Sequence, residues 1–591
     1  MKQISRLLSV LIVLAFVLAA CAPSATPTQA PAAPPTSAPV VQPTQAPQVK
    51  PTEAPPKPTE APKPTAPPAP SPTAAPVVVT RPIVIVASDQ PGQPDPAQNW
   101  TFGGAAYLPH VYDSLFRYVG DASPKLTAQL AAEIPSVENG GISKDGLTYT
   151  IKLKPGAKFH DGSPVNADAV VYSYDRIKAL NLGANGITAD WVTKTEKVDD
   201  LTVKFTLKQP FSDFLNSMGS VWGNYIVNPT VAKANEKDND WGHAWMMEHD
   251  AGSGPYTLTN FDQANNQITL ERFKDYWGGW SNPNPIDKAF IRWLPEATMA
   301  RSMLEKGDAD IVVNLSSEDF AALEKTSGFD SQKHPSIMQY YLGLNGSSEA
   351  LKNVKVRQAL QYSFNTDKVI SDIFNGNLLK MNAAVGPGYP DVYPATPQYP
   401  YDLEKAKSLL KEAGFEKGLE LTANLVGAMP NDSAVLEYWQ SDLAKIGVTL
   451  KIQQIDYGTW STAWFTDCTA STAPNIGQIS AMGVGGDYPS AWEVMGQVYP
   501  VPRLGGAKCS AVYINDPVVN DTYNKIAKTT DPAERQTLFQ TLYNQIAEDA
   551  GAIWIGQGVD LVTLRDVVKG YQYYFSMGGN YVPLPGMSLT K

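Results

Sequence analysis

From Ala22 to Thr80 the chain packs 19 of its 49 prolines into 59 residues, with Ala and Thr filling most of the rest. Proline lacks a backbone N–H and fixes φ, so this run supports neither a helix nor a sheet ladder, and it offers little apolar surface to bury. It reads as a semi-rigid polyproline-type tether, reaching about 3.1 Å per residue and therefore at most about 180 Å. Folding is thus confined to residues 81–591, enough chain for several domains of roughly 100–200 residues each.

The residues before the tether have the pattern of an export signal. Lys2 and Arg6 supply the positive start, and Leu7 to Leu18 is an almost unbroken apolar run, too short for an ordinary membrane span. It ends Leu18-Ala19-Ala20-Cys21, which resembles the lipobox of bacterial lipoproteins, with residues 1–20 as signal peptide and Cys21 as the lipidated first residue. The expected location is extracytoplasmic, with the body anchored by lipid to the outer face of the cell membrane or held in the periplasm. Cys468 and Cys509 are then the remaining cysteines, and in an exported protein they most simply form one disulfide. Closing that loop of about 40 residues would stabilise the fold by roughly 4 kcal/mol in the chain-entropy model.

The formal net charge is −11 and no Lys/Arg stripe is visible, so a nucleic-acid partner has no support. Periodicity gives the body an α/β character. Residues 81–87, 147–154 and 201–208 read as strands, and 166–180 as a helix. Later, 354–374 reads as a helix, and so does 402–413, stopped by Gly414. "LELTANLV", a helix from 432 to 446 stopped by Gly447, and "VTLKIQQI" follow; strand, helix, strand at this spacing predicts a crossover with parallel strands. A last long helix spans 532–549 with Thr530 and Asp531 as candidate caps.

Signatures of catalysis are missing: there is no Gly-x-Ser-x-Gly elbow, no Gly-Lys to end a phosphate loop and no His-Glu-x-x-His. In "MGVGGDYPSAW" (482–492) Gly483 and Gly485 begin a dinucleotide-like pattern, but Tyr488 stands where the third glycine belongs. The glycines read instead as room for a ligand's end to approach the backbone. His160-Asp161-Gly162 reads as a turn before a helix capped by Asn166. His243 and His249 lie six apart, which does not place them on one helical face. The 13 tryptophans and 27 tyrosines are the more telling feature, because many stand in polar or Gly-rich surroundings and together they indicate a cleft with flat apolar faces.

A series of segments then resembles one family, in that family's order: "DGLTYTIKLKPGAKFHDGSPVNADAVVYSYDRI" (145–177), "GSGPYTL" (252–258), "MLEKGDADI" (303–311), "YYLGLN" (340–345), "VKVRQALQYSFNTDKVI" (354–370), "YDLEKAKSLLKEAG" (401–414) and "SDLAKIGVTLKI" (441–452). They are similar to the extracellular solute-binding proteins, family 5, the peptide- and nickel-binding components of ABC importers. The resemblance implies a two-lobed periplasmic-binding-protein-like clamp, with mixed β-sheets flanked by helices and an extra domain. Its three structural domains would be 81–122 with 248–338 and 556–591, then 123–247, then 339–555, preceded by the tether 21–80. It further implies a monomer that closes on its ligand about a hinge and delivers it to permease subunits with their ATPases; no cofactor or metal is expected, since no ligand set of His and Cys stands together in the sequence.

For the site, the resemblance places Asp487 where peptide-binding members receive the ligand's α-ammonium group, beside Tyr488. Trp460 falls on a pocket-lining position, Tyr341 and Asn345 on cleft-side positions, and Trp222 and Trp100 join as further candidates. Val484 departs from the tryptophan that peptide binders often carry there. Oligopeptides or dipeptides are the expected ligands, with oligosaccharides, which stack on aromatic faces, as the alternative. A secreted hydrolase would need a catalytic constellation that the sequence lacks, and an adhesion lipoprotein would leave the transporter motifs unexplained.

Overall fold

The computed structural model describes residues 81–591 apart from 88–89, 121–123, 183–186, 295–296, 428, 457, 461–476, 500–511 and 513. Cys21, Cys468 and Cys509, and with them the proposed lipidation and disulfide, lie outside the described residues, as do the signal segment and the tether.

One large mixed sheet organises the body. Across it run Val448–Gln454, Leu419–Leu425, Ile479–Gly485, Phe329–Leu344, Ala552–Arg565, Ile311–Val313, Ile83–Ala87, Lys288–Trp293, Gln267–Arg272 and Tyr256–Asp262, with Leu378–Leu379 paired to Ala552–Arg565. Ile83–Ala87 is parallel to both its neighbours. Leu419–Leu425 and Val448–Gln454 are parallel, as the crossover pattern requires. Thr148–Lys152 and Thr202–Leu207, the two alternating segments, pair antiparallel in a separate three-stranded sheet with Val192–Asp199.

Two long antiparallel strands, Phe329–Leu344 and Ala552–Arg565, carry the sheet from one half to the other. The first part of Phe329–Leu344 lies opposite the end of Ala552–Arg565, beside Ile311–Val313; its last part pairs with Ile479–Gly485. Between these halves the register slips: Pro335 faces Val559 and Gln339 faces Gln557. Four residues advance on one strand for two on the other, so the backbone at 336–338 bulges, which bends and twists a ladder locally.

The helices start where their capping residues stand. The Asn166 side chain accepts from the Ala169 N–H at 3.1 Å to open Ala167–Leu180, and Asp402 does the same for Leu403–Glu412 through Lys405 at 2.9 Å. Asp531 caps Pro532–Asp549. Each such bond satisfies one of the orphan donors of a first turn, and its loss costs about 1 kcal/mol. Gly447 follows Asp432–Lys445 with φ +81°, where a Cβ would be strained.

The single helix expected over 354–374 is instead broken. Val354–Tyr362 ends at Ser363, and the Asn365 side chain caps a new start by accepting from the Lys368 N–H at 3.1 Å. The apolar period carries across this break because both pieces pack Leu360, Phe364 and Val369 into one core cluster with Trp439.

Candidate functional site

The first element of the site is the turn 91–106. Asp95 is fully buried and accepts from Arg176 Nη1 and Nη2 at 2.8 and 2.6 Å, from His243 Nδ1 at 2.6 Å and from the Ala97 N–H at 2.9 Å. Asn99 donates to the carbonyls of Pro91 and Gln93, and Thr101 Oγ1 accepts from the Gly104 N–H. Gly103 and Gly104 are required here, since a Cβ would lie 1.7 Å from the Gln90 carbonyl oxygen and 2.0 Å from Asn99 Oδ1. The turn so fixed presents Trp100, 42% exposed, and Phe102.

The second element is the loop that ends Ile479–Gly485. Gly483 and Gly485, expected as space for a ligand, are strand residues opposite Tyr340 and Met338. A Cβ on Gly485 would meet Met338 Sδ at 2.7 Å and Phe102 Cζ at 3.1 Å. At Gly485 the space is therefore filled by protein, and the ligand-space reading is corrected for that glycine.

Asp487 follows, 9% exposed. Its N–H donates to Glu493 Oε2 at 3.0 Å, its carbonyl accepts from Ser220 Oγ at 2.7 Å, and its Oδ1 accepts from Trp100 Nε1 at 3.1 Å. Glu493 sits in the first turn of Ala491–Val498, which Ser490 caps. Ser490 Oγ also donates to Asp213, whose other oxygen accepts from Arg535 Nη2 at 3.1 Å. Residue 487 is thus held at three points, its backbone N–H by nearby Glu493, its carbonyl by Ser220 and its carboxylate by Trp100, the last two from segments far away in sequence.

Trp100, Trp222, Asp487 and Tyr488 come together: Trp222 meets the edge of Phe102 at 5.9 Å, and its own N–H donates to Ser220 Oγ. Tyr488 is buried, and burial first, then the nearby Asp213 and Glu493 carboxylates, push its hydroxyl well above the usual tyrosine range. Tyr341 and Trp460 share a buried apolar cluster with Trp222 and Tyr488, but the polar bonds of Tyr341, Asn345 and Trp460 run to other partners. Tyr341 is fully buried, its one hydroxyl proton shared between Gln339 Oε1 at 3.1 Å and the Ala384 carbonyl at 3.0 Å. Asn345 donates to the Gly477 carbonyl and accepts from the Ser347 N–H and hydroxyl. Trp460 is buried with its Nε1 3.4 Å from Ser480 Oγ.

A cleft of about 630 Å³ opens over the bulge of the two long strands, with Ser336, Met338 and Gly558 in its lining. Phe102 is common to this cleft and to the Asp487 cluster. Five asparagines, Asn314, Asn375, Asn377, Asn431 and Asn580, line it, together with Tyr340 stacked on Phe374 at 6.1 Å. These polar residues were missed. Asn314, Asn375 and Asn431 have φ of 60°, 52° and 57°, a conformation Asn tolerates at the ends of elements, and "VNLSS", "FNGN" and "MPNDS" carry that signal in the sequence.

The histidines serve the framework. His160 places Nδ1 2.8 Å from Asp250 and Nε2 3.0 Å from the Gly254 carbonyl, while Asp161 and Gly162 make the expected turn. His243 faces Asp95, and His249 stacks on Trp245 at 4.6 Å. Among the described residues no group of three His, Cys, Asp or Glu is arranged to hold a metal ion.

A mixed α/β body whose sheet passes through two long strands, with a polar and aromatic cleft at their bulge, defines the class of periplasmic binding proteins. Superposition supports this. The DppA periplasmic binding protein of Helicobacter pylori, solved with the peptide STSA, matches with TM-score 0.71 and 22% identity over 86% of this chain and 98% of its own. A dipeptide-binding protein of Pseudoalteromonas, solved with Met-Leu, matches with TM-score 0.70 and 20% identity over 86% and 100%. In sequence, the glutathione-binding protein GsiB of Pectobacterium atrosepticum is 30% identical over 464 residues, 75% of this chain and 82% of the relative. Residues 125–502 match the model of the bacterial extracellular solute-binding proteins, family 5. The chain belongs to that family, the extracytoplasmic solute-binding components of ABC importers.

Proposed function

We propose that this protein captures oligopeptides or dipeptides outside the cytoplasm and hands them, chemically unchanged, to a membrane permease. The observation that carries this reading is the setting of Asp487. Its backbone N–H, its carbonyl and one carboxylate oxygen are fixed by Glu493, Ser220 and Trp100, so the anion is oriented before a ligand arrives. A largely desolvated ammonium group needs such a preorganised anion, because an unpaired buried charge is costly. The peptide backbone would lie in extended form along polar cleft groups, with side chains in tolerant pockets.

The bulge at 336–338 is the natural hinge, since it is where the two halves of the sheet change register. In this reading 81–122, 248–338 and 556–591 form one domain, 123–247 a second and 339–555 a third. The protein acts as a monomer and not as an enzyme, and Cys21 carries the lipid that holds the body near its permease.

Calorimetry with trialanine and its N-acetyl analogue tests the ligand class. The free amine should bind at least about tenfold more tightly, the least that one oriented charge pair contributes; equal binding removes the ammonium anchor. Oligosaccharides are the second reading, favoured by the asparagine-lined cleft with its Tyr340–Phe374 face: side-chain amides and aromatic faces also suit sugar hydroxyls and rings.

A further inference from the structure

Above the bulge lies a strap, residues 384–389. Its Ala384 carbonyl accepts from Tyr341, its Gly386 N–H donates to Gln339 Oε1, and its Gly388 N–H donates to Gln557 Oε1 at 2.7 Å. Gln557 in turn donates to the Ser336 carbonyl at 2.7 Å. The strap is therefore bonded to both long strands around the register slip.

At its end, the buried hydroxyl of Tyr389 makes two bonds that point in different directions. It donates to the carbonyl of Ile337, inside the bulge, and accepts at 3.0 Å from the N–H of Gly486, next to Asp487. Its ring meets Phe575, in the short helical turn Phe575–Met577, in a T-shaped contact at 5.2 Å. One oxygen atom thus joins the bulge backbone to the Asp487 loop. The hydroxyl proton goes to Ile337 and a lone pair of the same oxygen to Gly486, so both bonds hold only while the loop and the bulge stay within hydrogen-bond reach of that one atom.

We infer that Tyr389 is a positioning residue that couples the Asp487 loop to the bulge, so that seating a ligand's end at Asp487 biases the hinge. This rests on the ligand-end role proposed for Asp487. Ligand pull on the loop displaces Gly486, and the shared hydroxyl passes the displacement to Ile337. The strand ladder already sets Met338 opposite Gly485, and the shared hydroxyl extends that link to Ile337 and Gly486 with angle as well as distance fixed.

The test is hydrogen–deuterium exchange on the full chain, wild type and Tyr389→Phe, with and without trialanine. In the wild type trialanine should slow exchange both at 484–488 and at 336–339. In Tyr389→Phe the loop response should persist while the bulge response falls roughly tenfold, the scale of losing one buried hydrogen bond. Retention of the full bulge response overturns the coupling. If trialanine slows neither segment in the wild type, the peptide reading has failed, and the ligand-free proteins decide the coupling. Tyr389→Phe should then speed exchange at 485–487 and 336–339 together, with Ile83–Ala87 unchanged; acceleration everywhere, or nowhere, overturns it. Should the variant not fold, Asp487→Asn alone must alter exchange at 336–339, and an unaltered bulge likewise overturns it.

Discussion

Asp95→Asn is the substitution whose cost the structure defines best. Asp95 is 0% exposed and the Arg176 side chain 2%, and the two meet through paired bonds of 2.8 and 2.6 Å. Burial by itself pushes the Asp95 carboxyl up, but Arg176 and then His243 outweigh it and hold the group below the ordinary aspartate range. Its stabilisation is therefore present above the unfolded pKa and is lost as pH falls through the lower folded value. Asparagine keeps the shape and one acceptor oxygen but strands the guanidinium, and breaking a buried pair costs about 3–5 kcal/mol. The retained acceptor argues for the lower end, about 3 kcal/mol, a large share of the roughly 5–15 kcal/mol that holds a typical domain. Urea unfolding at pH 7, followed by tryptophan fluorescence, should show a shifted midpoint with an unchanged slope. Adding Arg176→Met should recover part of the loss, since the stranded charge is gone. A loss under about 1 kcal/mol, or a double variant as weak as the sum of the singles, would refute the reasoning. Because Asp95 anchors the turn that presents Trp100, the same variant should also loosen the Trp100–Asp487 bond.

Asp487→Asn should weaken binding of a peptide with a free amino terminus by roughly a hundredfold and leave its acetylated analogue almost unaffected; calorimetry with both ligands checks this, and equal losses count against it. Asp549 lies at the C-terminal end of Pro532–Asp549, where burial first and then the Asp516 charge raise its carboxyl to about 6. The folded state therefore binds the proton more tightly than the unfolded chain, and stability contributed by this group falls as pH rises toward 6. Asp549→Asn should gain about 1 kcal/mol at pH 8, after discounting for its partial exposure, and little at pH 4; thermal melts at the two values compare them. Burial lowers the His160 pKa, but the bond to Asp250 outweighs it and the net shift is upward. Its stabilisation is full below the ordinary histidine value and is lost as pH rises through the folded one, so His160→Gln should destabilise more at pH 5.5 than at pH 9.

Local signals were legible. Asn166 and Asp531 announce their helices because a cap acts within four residues, and the parallel pair Leu419–Leu425 and Val448–Gln454 follows from its connection. The break at Asn365 was hidden because apolar residues continue on both sides of it. What lay beyond reach was long-range: Trp100 bonds to Asp487 across 387 positions, and nothing local tells which strand will lie opposite Gly483. The same limit explains why Gly485 in "MGVGGDYPSAW" looked like open space, when Phe102 and Met338 fill it. Family motifs pointed to Asp487 as the proposed anchor, but the asparagine lining of the cleft converges from distant loops.

Native mass spectrometry of the protein purified from its producing cells bears most directly on the claim that it is a reversible peptide carrier. The account predicts non-covalent adducts whose spread of masses corresponds to short peptides, released intact by mild activation. Adducts spaced by regular hexose increments, or a bound metal complex, would contradict it.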